Sequence, residues 1–268
     1  MTEKPKMFAR EAWVKASEFL PEAQTDVLRR VIQRVDETIA DGRRPVVVFD
    51  IDSTLYHVTP RTYRIVLDWL ASHGAETVND EAIASLRRLS QGHVGYSLRD
   101  TFRMLGIDAT KHPFKATFSA LKTYWAERFF SNHYLDHDEV YPGAVEFVRT
   151  LEKSGAEIVY LTGRDEPNMG SGTRACMARD GFPLAGQNVH FFLKPSAATP
   201  DREHKQAAAD AIGELGDVVA SFENEPGNLI ALQSQFPDAM HIFVDTNCSD
   251  HPAPPARGLY RVLDFRRA

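Results

Sequence analysis

Apolar positions follow a helical period in the first part of the chain and form short continuous runs after Pro45. We interpret residues 1–44 as a helical extension that covers the core, because their apolar positions recur at the spacing of one helix face. These positions are Val27, Leu28, Val31, Ile32, Val35 and Ile39. The run from Val46 to Phe49 contains only apolar residues, which is typical of a strand buried on both faces of a parallel sheet.

Later apolar runs repeat this pattern, and helical stretches separate most of them. The predicted strands are 157–161, 189–193, 217–222, 241–245 and a short last one within 259–265. The predicted helices are 143–154, 172–180, 202–215 and 228–235. Strands that alternate with helices predict an α/β fold with a Rossmann-like three-layer core and a mainly parallel sheet.

A long segment interrupts this alternation between the first and second predicted strands. It is far longer than an ordinary crossover, and helical patterns fill it at 61–72, 79–89, 97–105 and 113–130. We predict an inserted α-helical cap at 58–138, with the α/β core formed by 45–57 and 139–268. The cap is rich in aromatic residues, most of which we expect in its own core: Trp69, Phe102, Phe114, Phe118, Tyr124, Trp125, Phe129 and Phe130.

Bulk composition excludes some classes of protein. The 268 residues are 43% hydrophobic, and the net charge of −6 disfavours a surface that grips nucleic acid. No apolar run approaches the roughly 20 residues that span a bilayer, and no signal-type apolar block follows Lys6. We therefore expect a cytoplasmic protein without membrane or nucleic-acid partners. Cys176 and Cys248 are expected to be thiols in a reducing compartment; the oligomeric state cannot be read from the sequence.

Two carboxylates follow the first predicted strand. In parallel sheets ligands bind at the carboxyl ends of the strands, which is where Asp50 and Asp52 stand. Paired carboxylates beside a buried strand are costly unless a cation binds them, and oxygen ligands suit Mg²⁺. One aspartate beside such an ion could attack phosphorus, and its neighbour could transfer protons. Two aspartates that only cap a turn are the structural alternative.

Other polar groups are expected at the same sheet edge. Thr162 could bind a phosphoryl oxygen after the second strand, and Gly163 permits close backbone approach. A lysine near a helix start could neutralise charge on a transferring phosphoryl group. We favour Lys205 over its rival Lys194, since the start of its helix faces this edge. An oxygen-rich loop, 222–228, follows the fourth strand and could complete a metal site.

Together these residues resemble the haloacid dehalogenase-like hydrolase superfamily, whose members are mostly phosphatases. The segment 50–55, Asp-Ile-Asp-Ser-Thr-Leu, matches the first motif, D-x-D-x-T-L, and 161–164 matches the second. Lys205 matches the weakly patterned third motif, and 141–144, Tyr-Pro-Gly-Ala, is similar to the lead-in to the second strand. The insertion resembles a C1-type cap, which implies control of substrate choice and exclusion of water.

The resemblance implies separate roles for the matched residues. Asp50 would be the nucleophile that becomes an aspartyl-phosphate, and Asp52 the general acid/base. The predicted catalytic set is Asp50, Asp52, Thr162 and Lys205. The predicted phosphate-binding set is Ser53, Thr162, Gly163, Arg164 and Lys205. The predicted Mg²⁺ ligands are Asp50, Asp52 through its backbone carbonyl, Asn224 and Glu223.

The fourth motif departs from the family pattern, G-D-x-x-x-D. Here asparagines stand at both acidic positions, with Asn224 as the side-chain ligand and Asn228 as the second member. An amide oxygen binds Mg²⁺ less strongly than a carboxylate, although C-terminal-domain phosphatases resemble this chain in using asparagine there. Glu223 or Glu225 could restore the charge. A helix-start cap is the structural alternative for Glu223, Glu225 and Asn228.

These inferences predict a magnesium-dependent phosphatase that hydrolyses a phosphate monoester of a small molecule. A phosphotransferase or phosphomutase shares all four motifs, and a non-catalytic phosphate-ligand-binding protein is favoured only by the asparagines. A dehalogenase needs neither Asp52 nor a metal. The substrate cannot be read from the sequence: His57, Arg61 and Arg64 could line the cap entrance, or the two arginines could form the solvated face of a helix.

Overall fold

The computed structural model describes residues 6–72 and 80–267. Two compact units form within them. The first contains the described residues of Met1–Tyr56, Val140–Pro167 and Met177–Ala268, and the second contains those of His57–Glu139 and Asn168–Cys176. The predicted start of a cap helix at Asn79 lies outside the described residues. No helix of the described residues is long and apolar enough to cross a membrane.

A six-stranded parallel sheet forms the centre of the first unit. Its strands are β1 (Pro45–Phe49), β4 (Glu157–Asp165), β5 (Val189–Lys194), β6 (Asp217–Glu223), β7 (Met240–Val244) and β8 (Tyr260–Val262). They are arranged in the order β5-β4-β1-β6-β7-β8, and every neighbouring pair is parallel. Two short strands, β2 (Tyr56–His57) and β3 (Glu139–Val140), form a separate sheet. The predicted parallel α/β fold is confirmed.

Helices cover both faces of the six-stranded sheet, which gives the predicted three layers. The helices of this unit are α1 (Arg10–Ala16), α2 (Gln24–Ala40), α7 (Ala144–Lys153), α9 (Asp201–Leu215) and α10 (Pro226–Gln235). The side chains of β1 alternate between the layers: Val46 and Val48 pack with Ile212 of α9, whereas the ring of Phe49 contacts Phe147 of α7. Both layers are apolar, so all five residues of β1 are buried.

The first helices pack onto this core. Helix α2 buries Val27, Val31 and Val35 on one face. Helix α1 inserts Trp13, which is fully buried and stacks edge-on against Phe243 of β7 at 5.0 Å. Aromatic pairs of this kind add about 0.5–1.5 kcal/mol beyond the burial of their area.

The second unit is helical and has its own core. Its helices are α3 (Thr59–Ser72), α4 (Asp80–Leu86), α5 (Leu98–Met104) and α6 (Phe114–Phe129), with 3₁₀ turns at Gln91–His93 and Asn132–His137. Helix α8 (Glu166–Asp180) contributes residues to both units. Trp69 and Phe102 are buried in the core, and four more of the predicted aromatics pack against it: Phe114, Phe118, Tyr124 and Trp125. Phe130 is different, since half of its surface is exposed.

Arg61 contradicts both alternatives predicted for it. Its side chain is fully buried, pairs with Asp138 through Nε at 2.8 Å, and lies over the ring of Phe129 at 4.4 Å. Removal of one partner of a buried ion pair leaves an unpaired charge in the interior, which destabilises the fold. Arg61 therefore stabilises the helical unit. Arg64 is about half exposed and pairs with Asp68 one turn later, as expected for a solvated face. Cys176 and Cys248 are thiols, and both are buried.

Candidate active site

The first motif forms a tight turn at the carboxyl end of β1. The backbone N–H groups of Thr54, Leu55 and Tyr56 all donate to the carbonyl of Ile51. Ser53 takes a left-handed conformation with φ of 62° so that its own N–H reaches the carbonyl of Tyr56 at 2.7 Å. Left-handed geometry at a residue other than glycine costs about 1–3 kcal/mol and is found mostly at functional sites.

Lys205 of α9 connects the ends of two neighbouring strands. Its Nζ donates to Asp50 Oδ1 at 2.6 Å and to Glu223 Oε2 at 2.7 Å. All three side chains are at least 93% buried. The structure therefore brings Lys205 onto the predicted nucleophile. Lys194 ends the edge strand β5, which β4 separates from β1.

Two carboxylates share this one buried ammonium group, which shifts the pKa values of all three. Burial raises the pKa of Asp50 to about 6, against the lowering effect of Lys205. Burial and the neighbouring Asp50 raise the pKa of Glu223 to about 8. Burial disfavours the charged lysine, but Asp50 and Glu223 together still raise its pKa well above the usual value. Lys205 is consequently a fixed positive charge beside Asp50.

Arg164 holds Asp52 in a two-pronged ion pair. Its Nε donates to Asp52 Oδ2 at 3.0 Å, and a terminal nitrogen donates to Oδ1 at 2.8 Å. The arginine side chain is 2% exposed and that of Asp52 is 32% exposed, so the carboxylate is oriented from its buried side. The backbone N–H of Arg164 also donates to Thr162 Oγ1 at 3.2 Å, and Thr162 is fully buried.

Gly163 lies against a carboxylate that the sequence patterns did not single out. A Cβ atom at this position would collide with Asp201 Oδ1, so any larger residue would displace the Asp201 carboxylate. Asp201 lies 3.9 Å from Lys205 Nζ and accepts a hydrogen bond from Asn228 Nδ2 at 3.1 Å. Its Oδ1 atom is buried and accepts no hydrogen bond from the described part of the chain. The position of Asp201 four residues before Lys205 in one helix was the signal available in the sequence.

The fourth loop holds its polar side chains in fixed positions. Asn224 Oδ1 accepts from Thr54 Oγ1 at 3.2 Å, and Asn224 Nδ2 donates to the carbonyl of Asn247 at 2.7 Å. Glu223 uses its second oxygen to accept from the N–H of Glu225 at 3.0 Å. Both oxygens of Glu225 in turn accept from Ser249, at 2.8 and 2.6 Å.

The side chains of Glu223, Glu225 and Asn228 do not cap any described helix, which was the structural alternative predicted for them. Helix α10 begins after Glu225, whose side chain makes no capping hydrogen bond. Asn228 lies in the first turn of that helix and donates to Asp201. Glu223 is the last residue of β6 and pairs with Lys205.

The oxygen donors at this edge fit a hard divalent cation such as Mg²⁺. Asp50 binds Lys205 through Oδ1, whereas its Oδ2 accepts no hydrogen bond within the described ranges. The amide oxygen of Asn224 retains acceptor capacity beyond its bond from Thr54. Residues 6–72 and 80–267 contain no group of three or more His, Cys, Asp or Glu side chains placed to hold a metal. Both oxygens of Glu223 accept hydrogen bonds, from Lys205 and from the N–H of Glu225. Among the described residues, Asp50 uses only one of its oxygens in this way.

The fold and this edge define an α/β protein with a buried carboxylate–lysine centre at the carboxyl ends of parallel strands. A family model, haloacid dehalogenase-like hydrolase, matches residues 45–234. The chain belongs to this family. The match begins at β1 and includes the residues of all four motifs.

Individual relatives are more distant. A phosphoglycolate phosphatase of Mesorhizobium japonicum is 27% identical over 176 residues, which cover 63% of this chain and 71% of the relative. A crystal structure of a Clostridium difficile protein proposed to be a phosphatase is 17% identical, with a TM-score of 0.51. A haloacid dehalogenase-like hydrolase from Streptococcus pneumoniae is 11% identical, with a TM-score of 0.48. Both structural comparisons cover 78% of this chain and 88% of the other. The C. difficile structure supports the fold alone.

Proposed function

We propose that the chain is a magnesium-dependent phosphatase that hydrolyses phosphate monoesters of small molecules through an aspartyl-phosphate on Asp50. The observation that carries this proposal is the buried contact between Asp50 and Lys205 at the end of β1. A carboxylate in this position has one oxygen fixed by a permanent cation and the other available for reaction. The phosphoglycolate phosphatase relative supports a small phosphorylated substrate.

In the first step, Asp50 attacks phosphorus while the bond from phosphorus to the leaving oxygen breaks. Asp52 begins the cycle protonated and gives its proton to that oxygen, so the product leaves as an alcohol. Lys205 and the hydroxyl of Thr162 offset the charge on the phosphoryl group. In the second step, Asp52 takes a proton from water, the water oxygen attacks phosphorus, and Asp50 is released as a carboxylate with inorganic phosphate.

Magnesium, held by Asp50, the carbonyl of Asp52 and Asn224, would supply Lewis-acid stabilisation of the phosphoryl oxygens. Glu223 stays a predicted alternative ligand, and its contact with Lys205 gives it a second role. It shares the lysine charge with Asp50, which keeps the ammonium group in place between two strands.

The proposal is tested by titrating Mg²⁺ against hydrolysis of an aryl phosphate by the purified chain. We expect phosphate release that saturates with Mg²⁺ and stops in a chelator. Within the described residues, the predicted set offers Mg²⁺ one side-chain carboxylate oxygen of Asp50 and Glu223 that accepts no hydrogen bond, Asp50 Oδ2, so the ion should bind reversibly. An aryl phosphodiester is the control and should not react. Absence of hydrolysis at every Mg²⁺ and Mn²⁺ concentration would contradict the proposed function.

Arg164 provides a separate prediction, because its observed contact and its predicted phosphate-binding role have different kinetic consequences. Lysine keeps the charge but loses the planar fork that orients Asp52. We expect Arg164→Lys to lower kcat for the aryl phosphate about tenfold or more, with KM changed less than about twofold. The control is Arg43→Lys, at an exposed arginine that pairs with Asp41. A large rise in KM at constant kcat would instead favour direct phosphate binding by Arg164.

A further inference from the structure

The segment Asp245–Ser249, here called the β7 loop, bonds to both loops that carry the candidate site. Thr246 Oγ1 donates to the carbonyl of Ser53 in the turn after β1. The carbonyl of Asn247 accepts from Asn224 Nδ2 at 2.7 Å, and Ser249 donates twice to Glu225. The β7 loop is thus a brace between the first and fourth motifs.

The bond to Asn247 fixes which end of the Asn224 amide faces the first motif. Asn224 is 1% exposed, so each end of its amide needs a partner of the right kind. The NH₂ group faces a carbonyl, which only accepts, and the oxygen therefore faces Thr54 in the turn that carries Asp50 and Asp52. An amide fits these two neighbours better than a carboxylate, because a carboxylate oxygen would lie against the carbonyl of Asn247 without a proton between them.

Arg10 of α1 holds the β7 loop from the other side. One of its terminal nitrogens donates to Asp245 Oδ1 at 2.6 Å and to the carbonyl of Thr246 at 2.9 Å. The Asp245 side chain is 7% exposed and that of Arg10 is 32% exposed, so the pair is partly shielded from solvent on the side of the aspartate. Arg261 binds the other oxygen of Asp245 from a position that is 46% exposed, and no bond from Arg261 to the backbone of the β7 loop is among the described contacts.

We propose that Arg10 and the β7 loop are positioning elements that set the orientation of the Asn224 amide, so that asparagine is the residue this metal position requires. The proposal rests on the proposed function, since it assigns Asn224 as a metal ligand. It gives the N-terminal helix a role in the site, and it explains how the fourth motif works without the family's aspartate. Arg10 bonds to Asp245 and Thr246 of the β7 loop, and within residues 6–72 and 80–267 it makes no bond to a predicted catalytic residue.

The test compares Arg10→Gln with Arg261→Gln, two arginines that bind opposite oxygens of the same aspartate. Binding of Mg²⁺ is followed by the rise in Tm during a Mg²⁺ titration, and separately by aryl-phosphate hydrolysis. We expect Arg10→Gln to raise the half-saturating Mg²⁺ concentration about tenfold in both measurements, and Arg261→Gln less than about twofold. Arg10→Lys keeps the charge and one bond to Asp245, so it should recover part of the loss.

Asn224→Asp gives a second arm that does not depend on α1. We expect it to bind Mg²⁺ no more tightly than the wild-type chain and to have a lower Tm in chelator, since its new charge is buried opposite a carbonyl. Equal Mg²⁺ affinities for Arg10→Gln and Arg261→Gln, or tenfold tighter binding by Asn224→Asp, would overturn the inference alone. A wild-type chain that shows neither a Mg²⁺-dependent Tm nor hydrolysis would overturn the proposed function together with it.

Discussion

Replacement of Asp50 with asparagine is expected to lower kcat for aryl-phosphate hydrolysis by about 10⁴-fold or more while the chain remains folded. Asparagine has nearly the same shape but a much poorer nucleophile, and it would keep an oxygen for Lys205. Replacement also removes one of the two carboxylates that compete for that lysine. The Tm of Asp50→Asn should therefore be close to, or above, that of the wild-type chain, which separates loss of chemistry from loss of structure.

The matched control for Asp50→Asn is Asp264→Asn. Asp264 is 5% exposed and ion-paired with Arg266, in the chain that follows β8 rather than at the end of β1. The same chemical change there should reduce stability slightly and leave kcat within about twofold, because the Asp264 side chain bonds to Gln24 and Arg266 rather than to a residue of the candidate site. Near-normal hydrolysis by Asp50→Asn would refute the assignment of the nucleophile.

Replacement of Lys205 with methionine should have the largest effect on stability. Methionine fills a similar volume but leaves Asp50 and Glu223 buried without a cation, and loss of one partner from such a buried pair costs about 3–5 kcal/mol. We expect kcat to fall by at least about 10²-fold as well, because the fixed charge beside the phosphoryl group is lost. Urea unfolding measures the first effect, and aryl-phosphate hydrolysis measures the second.

A double variant separates the two roles of Lys205. Addition of Glu223→Gln to Lys205→Met removes one of the stranded charges, so part of the lost stability should return without recovery of kcat. The stability of Lys205→Met should also rise as the pH falls, since protonation of Asp50 and Glu223 removes their charge in the folded state. If Lys205→Met unfolds at the wild-type urea concentration, the carboxylate–lysine centre does not stabilise the fold as inferred.

The strands of the parallel sheet could be predicted because most of them contain a short apolar run, such as Val46–Phe49 in β1. The two-residue strands β2 and β3 have no such run and were not predicted. The end of β4 was harder to place: the strand continues through Thr162 and Arg164 to Asp165, although these residues are polar. Helix α8 begins at Glu166 rather than at the predicted 172. Gly172 lies inside the helix, where its N–H donates to Asn132 Oδ1 at 2.7 Å and a Cβ atom would collide with Asn132.

The candidate site could be predicted only where side-chain chemistry is distinctive. Asp50 and Lys205 carry charges that a buried sheet edge must pair, and the start of the Lys205 helix was predicted to face the edge at which Asp50 stands. Arg164 was predicted to bind phosphate, but its planar fork fits a phosphate and a carboxylate equally well, and in the structure it binds Asp52. The carbonyl of Asn247 had no signal at all, since every residue carries the same acceptor.

The central claim is that Asp50 accepts the phosphoryl group. The most direct measurement is peptide mass analysis of the chain after acid quenching during turnover of an aryl phosphate with Mg²⁺. We predict one phosphoryl group on the peptide that contains Asp50, and none in the Asp50→Asn variant treated in the same way. A phosphoryl group on another residue, or labelling of the variant equal to that of the wild type, would contradict it.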